Sequence, residues 1–221
     1  MSQPVKIDFV SDIACPWCAV GLRSLEEAMA RIEGLQVELH FQPFELNPQM
    51  PAAGEDAVEH LTRKYGITAE QAAQNGEAIR ARGASLGFEF RMDRRRHVYN
   101  TFDAHRLLHW AGLESPERQL ALKHAMLRAY FTDGEDVSSA EVLVRLAAES
   151  GLDGDRARTL LASDEYVQAV RDQERHYTEQ GISAVPSVIL NDRHLIQGGQ
   201  PIERFEQALR QVSGIAAGAG P

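Results

Sequence analysis

The chain has 221 residues, 43% hydrophobic and 25% charged, enough apolar material for one well-buried domain with an inserted subdomain. A formal net charge of −9 argues against nucleic acid as a main partner, because phosphate binding needs a positive field. No apolar run approaches the ~20 residues that span a bilayer. Met1-Ser2-Gln3-Pro4 runs into a strand without a basic region, apolar segment or cleavage site, so the expected location is cytoplasmic.

Val5, Ile7 and Phe9 alternate with Lys6 and Asp8, a period-two strand. Cys15-Pro16-Trp17-Cys18 then opens a helix whose stripe is Leu22, Leu25, Met29 and Ile32, and Gly34 is its expected stop. Val37, Leu39 and Phe41 form a second strand closed by Pro43, and residues 44–48 read as a loop. Residues 52–180 read almost entirely as helix. Ser115-Pro116-Glu117 is a start signal, Ser138 and Glu141 fit a capping box, and Gly151 and Gly181 fit C-terminal stops. Phe102, Leu107, Leu108, Leu120, Leu127, Tyr130, Phe131, Val142, Leu143 and Leu146 supply an apolar core for this block. Within it, Arg91, Arg94, Arg95 and Arg96 read as a solvated loop or as a contact for a carboxylate-bearing ligand. Val188-Ile189-Leu190 and His194-Leu195-Ile196 flank an Asn191-Asp192 turn and read as a hairpin broken by Gly198-Gly199. Pro201 starts a last helix with Phe205, Ala208, Leu209 and Val212 inward, followed by a Gly/Ala-rich tail. The order is β-α-β, a long helical block, then β-β-α.

Cys15 and Cys18 are the only cysteines. Spaced three apart at a helix start, they are neighbours on one face and can close and reopen a short disulfide. The thiolate is the attacking species. A helix N-terminus carries about half a positive charge and free N–H groups, so Cys15 at the tip is expected to be acidified and exposed. Cys18, one turn in and four before Leu22, is expected to be shielded. Pro16 fits the first turn, and Trp17 reads as a surface for a substrate chain or as simple packing. A CxxC is also half of a zinc site. The other ligands would have to be histidines, and His105 and His109 stand at i, i+4, but nothing in the sequence brings them to the cysteines, so no metal is expected. Val185-Pro186 directly before a strand marks an edge or a cis turn. Beside a CxxC, such a proline leaves the preceding carbonyl and amide free to pair with an extended peptide and keeps metal from capturing the pair.

The chain resembles the thioredoxin fold and, more closely, the FrnE-like branch of DsbA-type oxidoreductases. The likeness is carried by Asp12-Ile13-Ala14-Cys15-Pro16-Trp17-Cys18 with Gly21, Phe44-Glu45-Leu46-Asn47-Pro48, Asn100-Thr101 with Ala104-His105-Arg106-Leu107, Ile182-Ser183-Ala184-Val185-Pro186 and Gly198-Gly199-Gln200-Pro201. It spans residues 5 to about 212. It implies an α/β thioredoxin fold with a large all-helical insertion between the second strand and the late hairpin. The expected division is residues 1–50 and 182–213 for the thioredoxin-like parts, 51–181 for the inserted helices and 214–221 for a flexible tail. The resemblance further implies a cis Val185–Pro186 bond beside the cysteines, Cys15 as nucleophile and Cys18 as resolving thiol.

Many thioredoxin-like proteins carry a buried carboxylate six residues before the first cysteine, where this chain has Phe9. Proton removal from Cys18 must then use another group. Asp12 is the nearest candidate, with a loop or capping bond as its other reading.

Kappa-class glutathione transferases and 2-hydroxychromene-2-carboxylate isomerases belong to the same superfamily, but typically have serine at the position of Cys15 and bind glutathione. The leading expectation is thus a thiol–disulfide oxidoreductase acting on a disulfide-containing protein or small thiol, with a thiol reductant and no tightly bound cofactor. The alternative is a glutathione-dependent isomerase or transferase of a small aromatic molecule, with Asn47, Asn100 and His105 as accessory polar contacts or, equally, as helix caps and packing. A third reading is a peptide-binding protein using the surface around Trp17 and Val185. Cytoplasmic relatives often pair, so a homodimer is an expectation too, and the direction of redox exchange stays open.

Overall fold

A computed structural model describes residues 3–216. Strand β1 (Val5–Ser11) is followed by helix α1 (Pro16–Ala30) and strand β2 (Val37–Pro43), and β2 returns parallel to β1 with Val5 opposite Val37 and Phe9 opposite Phe41. Near the other end, β5 (Ser187–Leu190) and β6 (His194–Gln197) form an antiparallel hairpin before helix α9 (Ile202–Ser213). β5 adds antiparallel to the free side of β1, which gives a four-stranded sheet in the order β2-β1-β5-β6. This mixed sheet, built from the two ends of the chain, is the thioredoxin arrangement expected from the sequence. Asn191 and Asp192 take the left-handed conformation in the three-residue loop between Leu190 and His194, and the Arg193 amide donates to the Leu190 carbonyl at 3.1 Å.

Between the two sheet halves lie α2 (Ala57–Tyr65), α3 (Ala69–Ala84), α4 (Phe102–Glu114), α5 (Pro116–Arg128), α6 (Ala140–Glu149), α7 (Gly154–Leu161) and α8 (Val167–Glu179). The helical reading of this block needs three corrections. Glu55–Asp56 (β3) and His97–Val98 (β4) pair as a two-residue ribbon, too short to carry any periodicity. A π-helical turn, Ala129–Asp133, follows α5. Ser138 and Glu141 form no capping box, because Asp136 takes the Ser138 hydroxyl and amide at 2.6 and 2.8 Å and the N-cap falls one residue later, at Ser139. The reciprocal box is instead at Thr68 and Gln71. The Ser115 cap forms as expected. α1 also ends earlier than read: it stops at Ala30, Ile32 lies buried in the turn beyond, and left-handed Gly34 completes that turn.

One core joins the sheet to the helices. Phe9 and Phe41 meet edge to face at 5.7 Å, α1 lies against α9, and α4, α5 and α8 pack on β2. The outer edge of β2 is engaged by Gln119 of α5, whose Oε1 accepts from the Phe41 amide at 3.2 Å. That bond occupies a backbone donor an open sheet edge would otherwise present. Arg106 is buried in α4 and donates to the carbonyls of Leu160 and Glu165 at 2.8 and 2.9 Å, tying α4 to the last turn of α7 and to the segment after it. Arg91 pairs with Asp93, and Arg95 donates to the Tyr130 hydroxyl at 2.9 Å, so part of the arginine run serves internal contacts. Of the expected tail, residue Ile215 packs on the core, and residues 217–221 lie outside the described residues. Among the described residues no helix is long and apolar enough to cross a membrane.

Candidate active site

The turn that delivers the cysteines is built by Asp12. Its Oδ1 accepts from the Ala14 amide at 3.2 Å, an Asx-type turn, and its carbonyl accepts from the Cys15 amide at 3.3 Å. Cys15 is the N-cap of α1 and Pro16 its first helical residue, where a missing N–H costs nothing. The Cys18 amide closes the first turn on the Cys15 carbonyl at 3.0 Å.

Both cysteines are free thiols. Cys18 is fully buried, as the stripe predicted. Cys15 is not exposed as its tip position suggested: only 4% of its surface is accessible. The reason is the Val185–Pro186 loop, which folds over the helix start. The Cys15 Sγ donates to the Val185 carbonyl at 3.5 Å, and the Val185–Pro186 bond is cis. The loop is held by the Gly198 amide on the Pro186 carbonyl at 2.7 Å and by the Ser187 hydroxyl on Ala184 at 2.8 Å. Gly21 and Gly199 allow the close approach. A Cβ on Gly21 would stand 2.9 Å from the Pro186 ring, and one on Gly199 3.1 Å from the Trp17 carbonyl. Trp17 itself is 42% exposed beside the pair.

The two thiols are electrostatically unlike. The Cys18 thiol donates to Cys15 and, with the Trp17 and Cys18 amides at the helix start, lowers the Cys15 pKa below the ordinary thiol value, against burial and the Asp12 charge. For Cys18, burial comes first, and the same bond and the charge of Cys15 add to it. Its pKa lies well above the ordinary value although Lys123 pulls it down.

Asp12 is buried and spoken for. Its Oδ2 accepts from the Leu46 amide at 2.7 Å, and its Oδ1 lies 3.5 Å from His105 Nε2. Burial alone would raise its carboxyl; His105, the Leu46 amide and the Thr101 hydroxyl together hold it below the usual carboxylate range. The structure therefore brings His105 to the cysteine turn, which the sequence did not indicate, while His109 bonds Gln173 at 3.1 Å instead. Asn100 lies in a local turn, accepting from the Phe102 amide at 2.9 Å. Asn47 joins the rim: its Oδ1 accepts from Lys64 Nζ at 2.7 Å and lies 3.1 Å from His60 Nε2.

Three groups escaped the sequence reading. Lys64 and exposed Tyr65, at the end of α2, lie close enough to Cys15 for its charge to act on both. Lys123, in α5, is wholly buried; burial depresses its pKa to about 8, and the charges of Cys18, Asp12 and Cys15 act against that fall. Its signal was its place between Leu122 and Met126 on an apolar stripe, an unusual position for lysine. Among the described residues no group of three or more His, Cys, Asp or Glu side chains is placed to hold a metal ion.

Residues 6–210 match the model of the DsbA-like thioredoxin domain. The chain is 30% identical to the Bacillus subtilis protein YwbO over 93% of its own length and 96% of that protein. A probable DsbA oxidoreductase of Streptomyces coelicolor superposes with a TM-score of 0.87 at 35% identity, covering 98% of this chain and 93% of that one. The cytosolic disulfide reductase DsbM of Pseudomonas aeruginosa, solved with glutathione, shares the fold at 20% identity and a TM-score of 0.62, covering 94% and 98%. With its sheet order, its cysteine pair at a helix start and a match over nearly its whole length, this chain belongs to the family of DsbA-like thioredoxin-domain proteins.

Proposed function

We propose that the protein is a thiol–disulfide oxidoreductase in which Cys15 is the nucleophile and Cys18 the resolving thiol. The observation that carries this reading is the division between the two sulfurs. One is acidified at a helix start under a carbonyl-bearing loop, and the other is buried with its proton held. In the reducing direction the Cys15 thiolate attacks a substrate disulfide, a Cys15–substrate bond forms, and the first substrate sulfur leaves as a thiolate. Cys18 then loses its proton and attacks Cys15 Sγ. The Cys15–Cys18 disulfide forms and the second substrate sulfur leaves. The oxidising direction is the reverse. The narrow opening at Cys15, flanked by Trp17 and the Val185 carbonyl, suits an extended segment or a small disulfide. Glutathione or another small thiol would return the pair to its reduced form.

Equilibration in glutathione buffers, read by alkylation and mass, tests this directly. The Cys15–Cys18 pair should show a reversible midpoint between about −270 and −120 mV, the span of thioredoxin-like and DsbA-like pairs. Cys15→Ser should abolish turnover of a disulfide substrate, and Cys18→Ser should trap the mixed disulfide. A pair that fails to cycle, with Cys15→Ser retaining activity, would refute the proposal.

A further inference from the structure

Lys123 has no exposed surface, and its Nζ has no hydrogen-bond partner. Lysine is almost never buried this way unless paired. Its ring neighbour is Phe41, with Nζ 5.7 Å from the centroid. The adjacent His124 reaches across to α1, its Nε2 2.6 Å from Glu26 Oε1, which fixes α5 against the cysteine helix. A cavity of about 10 Å³, room for one water molecule, is lined by Lys123, His105, His109 and Gln173. His105 Nε2 is likewise without a hydrogen-bond partner. The charges that act on the amine are those of Cys18 in α1, Asp12 of the preceding turn and the N-cap Cys15, and His105 and His109 of α4 line the cavity with it.

Resolution requires Cys18 to lose a proton inside the core. Phe9, buried on β1 six residues before Cys15, offers no acceptor. Asp12 is a poor one, since it is held as an anion by the Leu46 amide and His105, and its charge opposes a nearby thiolate. Lys123 is a buried base whose amine has no other partner and whose charge acts on Cys18. We propose that Lys123, as its neutral amine, accepts the proton that leaves Cys18 in the resolving step, an inference that rests on the redox reading above. The amine nitrogen takes the proton and the Cys18 sulfur keeps the electron pair. That sulfur attacks Cys15 Sγ, the bond from Cys15 to the substrate sulfur breaks, and the substrate leaves as a thiolate. Thiol and amine are both neutral before the transfer, and thiolate and ammonium attract one another after it. No net charge is added to the core, which is the condition a buried proton transfer has to meet. Burial lowers the Lys123 pKa to about 8, so a fraction of the amine is neutral near pH 7.

Stopped-flow reaction with 5,5′-dithiobis(2-nitrobenzoate) separates the steps, because capture by Cys15 releases one chromophore and resolution by Cys18 the second. In Lys123→Met the second phase should slow by about 100-fold relative to the first, the lower end of general-base effects. The wild-type second phase should rise through about pH 8, and that rise should be missing in the variant. A folded Lys123→Met protein with an unaltered second phase and pH profile overturns the inference alone. A wild-type protein that releases no first chromophore overturns the redox reading and this inference with it. If Lys123→Met does not fold, a carbon-13 NMR titration of the Lys123 ε-carbon in the wild type decides. Its midpoint should be higher in the reduced than in the oxidised protein, and identical midpoints overturn the inference.

Discussion

Asp12 shows how one side chain both builds the cysteine turn and works against its chemistry. Its carboxylate binds the Ala14 and Leu46 amides, and its charge raises the Cys15 pKa. Asp12→Asn keeps one acceptor oxygen and loses the other, which leaves a buried amide unpaired. We expect it to cost about 1–3 kcal/mol in urea unfolding at pH 7. It should also lower the Cys15 pKa further, read from thiolate absorbance, since a negative charge beside the thiolate is gone. The acid limb follows from the same group. A carboxyl held below its unfolded value of 3.8 contributes stability above that value and loses it as pH falls through the folded one. The gap between wild type and Asp12→Asn should therefore narrow below about pH 4. That Asp12 sits at the turn was legible from its place three residues before Cys15. That His105 meets it was not, because 93 residues of chain separate the two and no local pattern encodes the encounter.

Two glycines on helices predict opposite outcomes. Gly76, within α3, would place a new Cβ no nearer than 3.7 Å from Met92. Gly76→Ala should stabilise the protein by about 0.5–1 kcal/mol through helix propensity alone. Gly21 in α1 enjoys the same propensity gain on substitution, but its Cβ would press on the Pro186 ring at 2.9 Å. That ring belongs to a loop pinned by the Gly198 amide, so overpacking of about 1–3 kcal/mol outweighs the gain. Gly21→Ala should unfold at lower denaturant and exchange disulfides more slowly, while Gly76→Ala exchanges normally. Strands β1, β2, β5 and β6 and helices α1, α5 and α9 could be read from period, proline and glycine. The β3–β4 ribbon could not, because two residues show no alternation. The Ser138 signature failed because Asp136, two residues upstream, competed for the same hydroxyl.

Across the whole molecule, Lys123 is a stability cost retained in the core. At about 1.4 kcal/mol per pH unit, holding the amine at about 8 instead of 10.5 corresponds to about 3 kcal/mol. The sign follows from proton counting. Below about pH 8 the penalty is present in full, and it disappears as pH rises toward 10.5, where the unfolded lysine also becomes neutral. Lys123→Met should therefore be about 1–3 kcal/mol more stable than wild type at pH 7, as replacement of buried charge by apolar bulk often is. The advantage should shrink by pH 10 in parallel urea titrations. Periodicity put Leu127 of the same helix in the core but is blind to a lysine buried beside it. The sheet order has a further consequence, in time rather than in space. β1 waits for a partner strand more than 170 residues away, and the loop that covers Cys15 comes just before that strand. During synthesis at about 5–20 residues per second, the cysteines leave the ribosome roughly 10–30 s before Pro186. For that interval the nascent chain carries two uncovered thiols, open to cellular oxidants, and it gains its selectivity only when the hairpin docks.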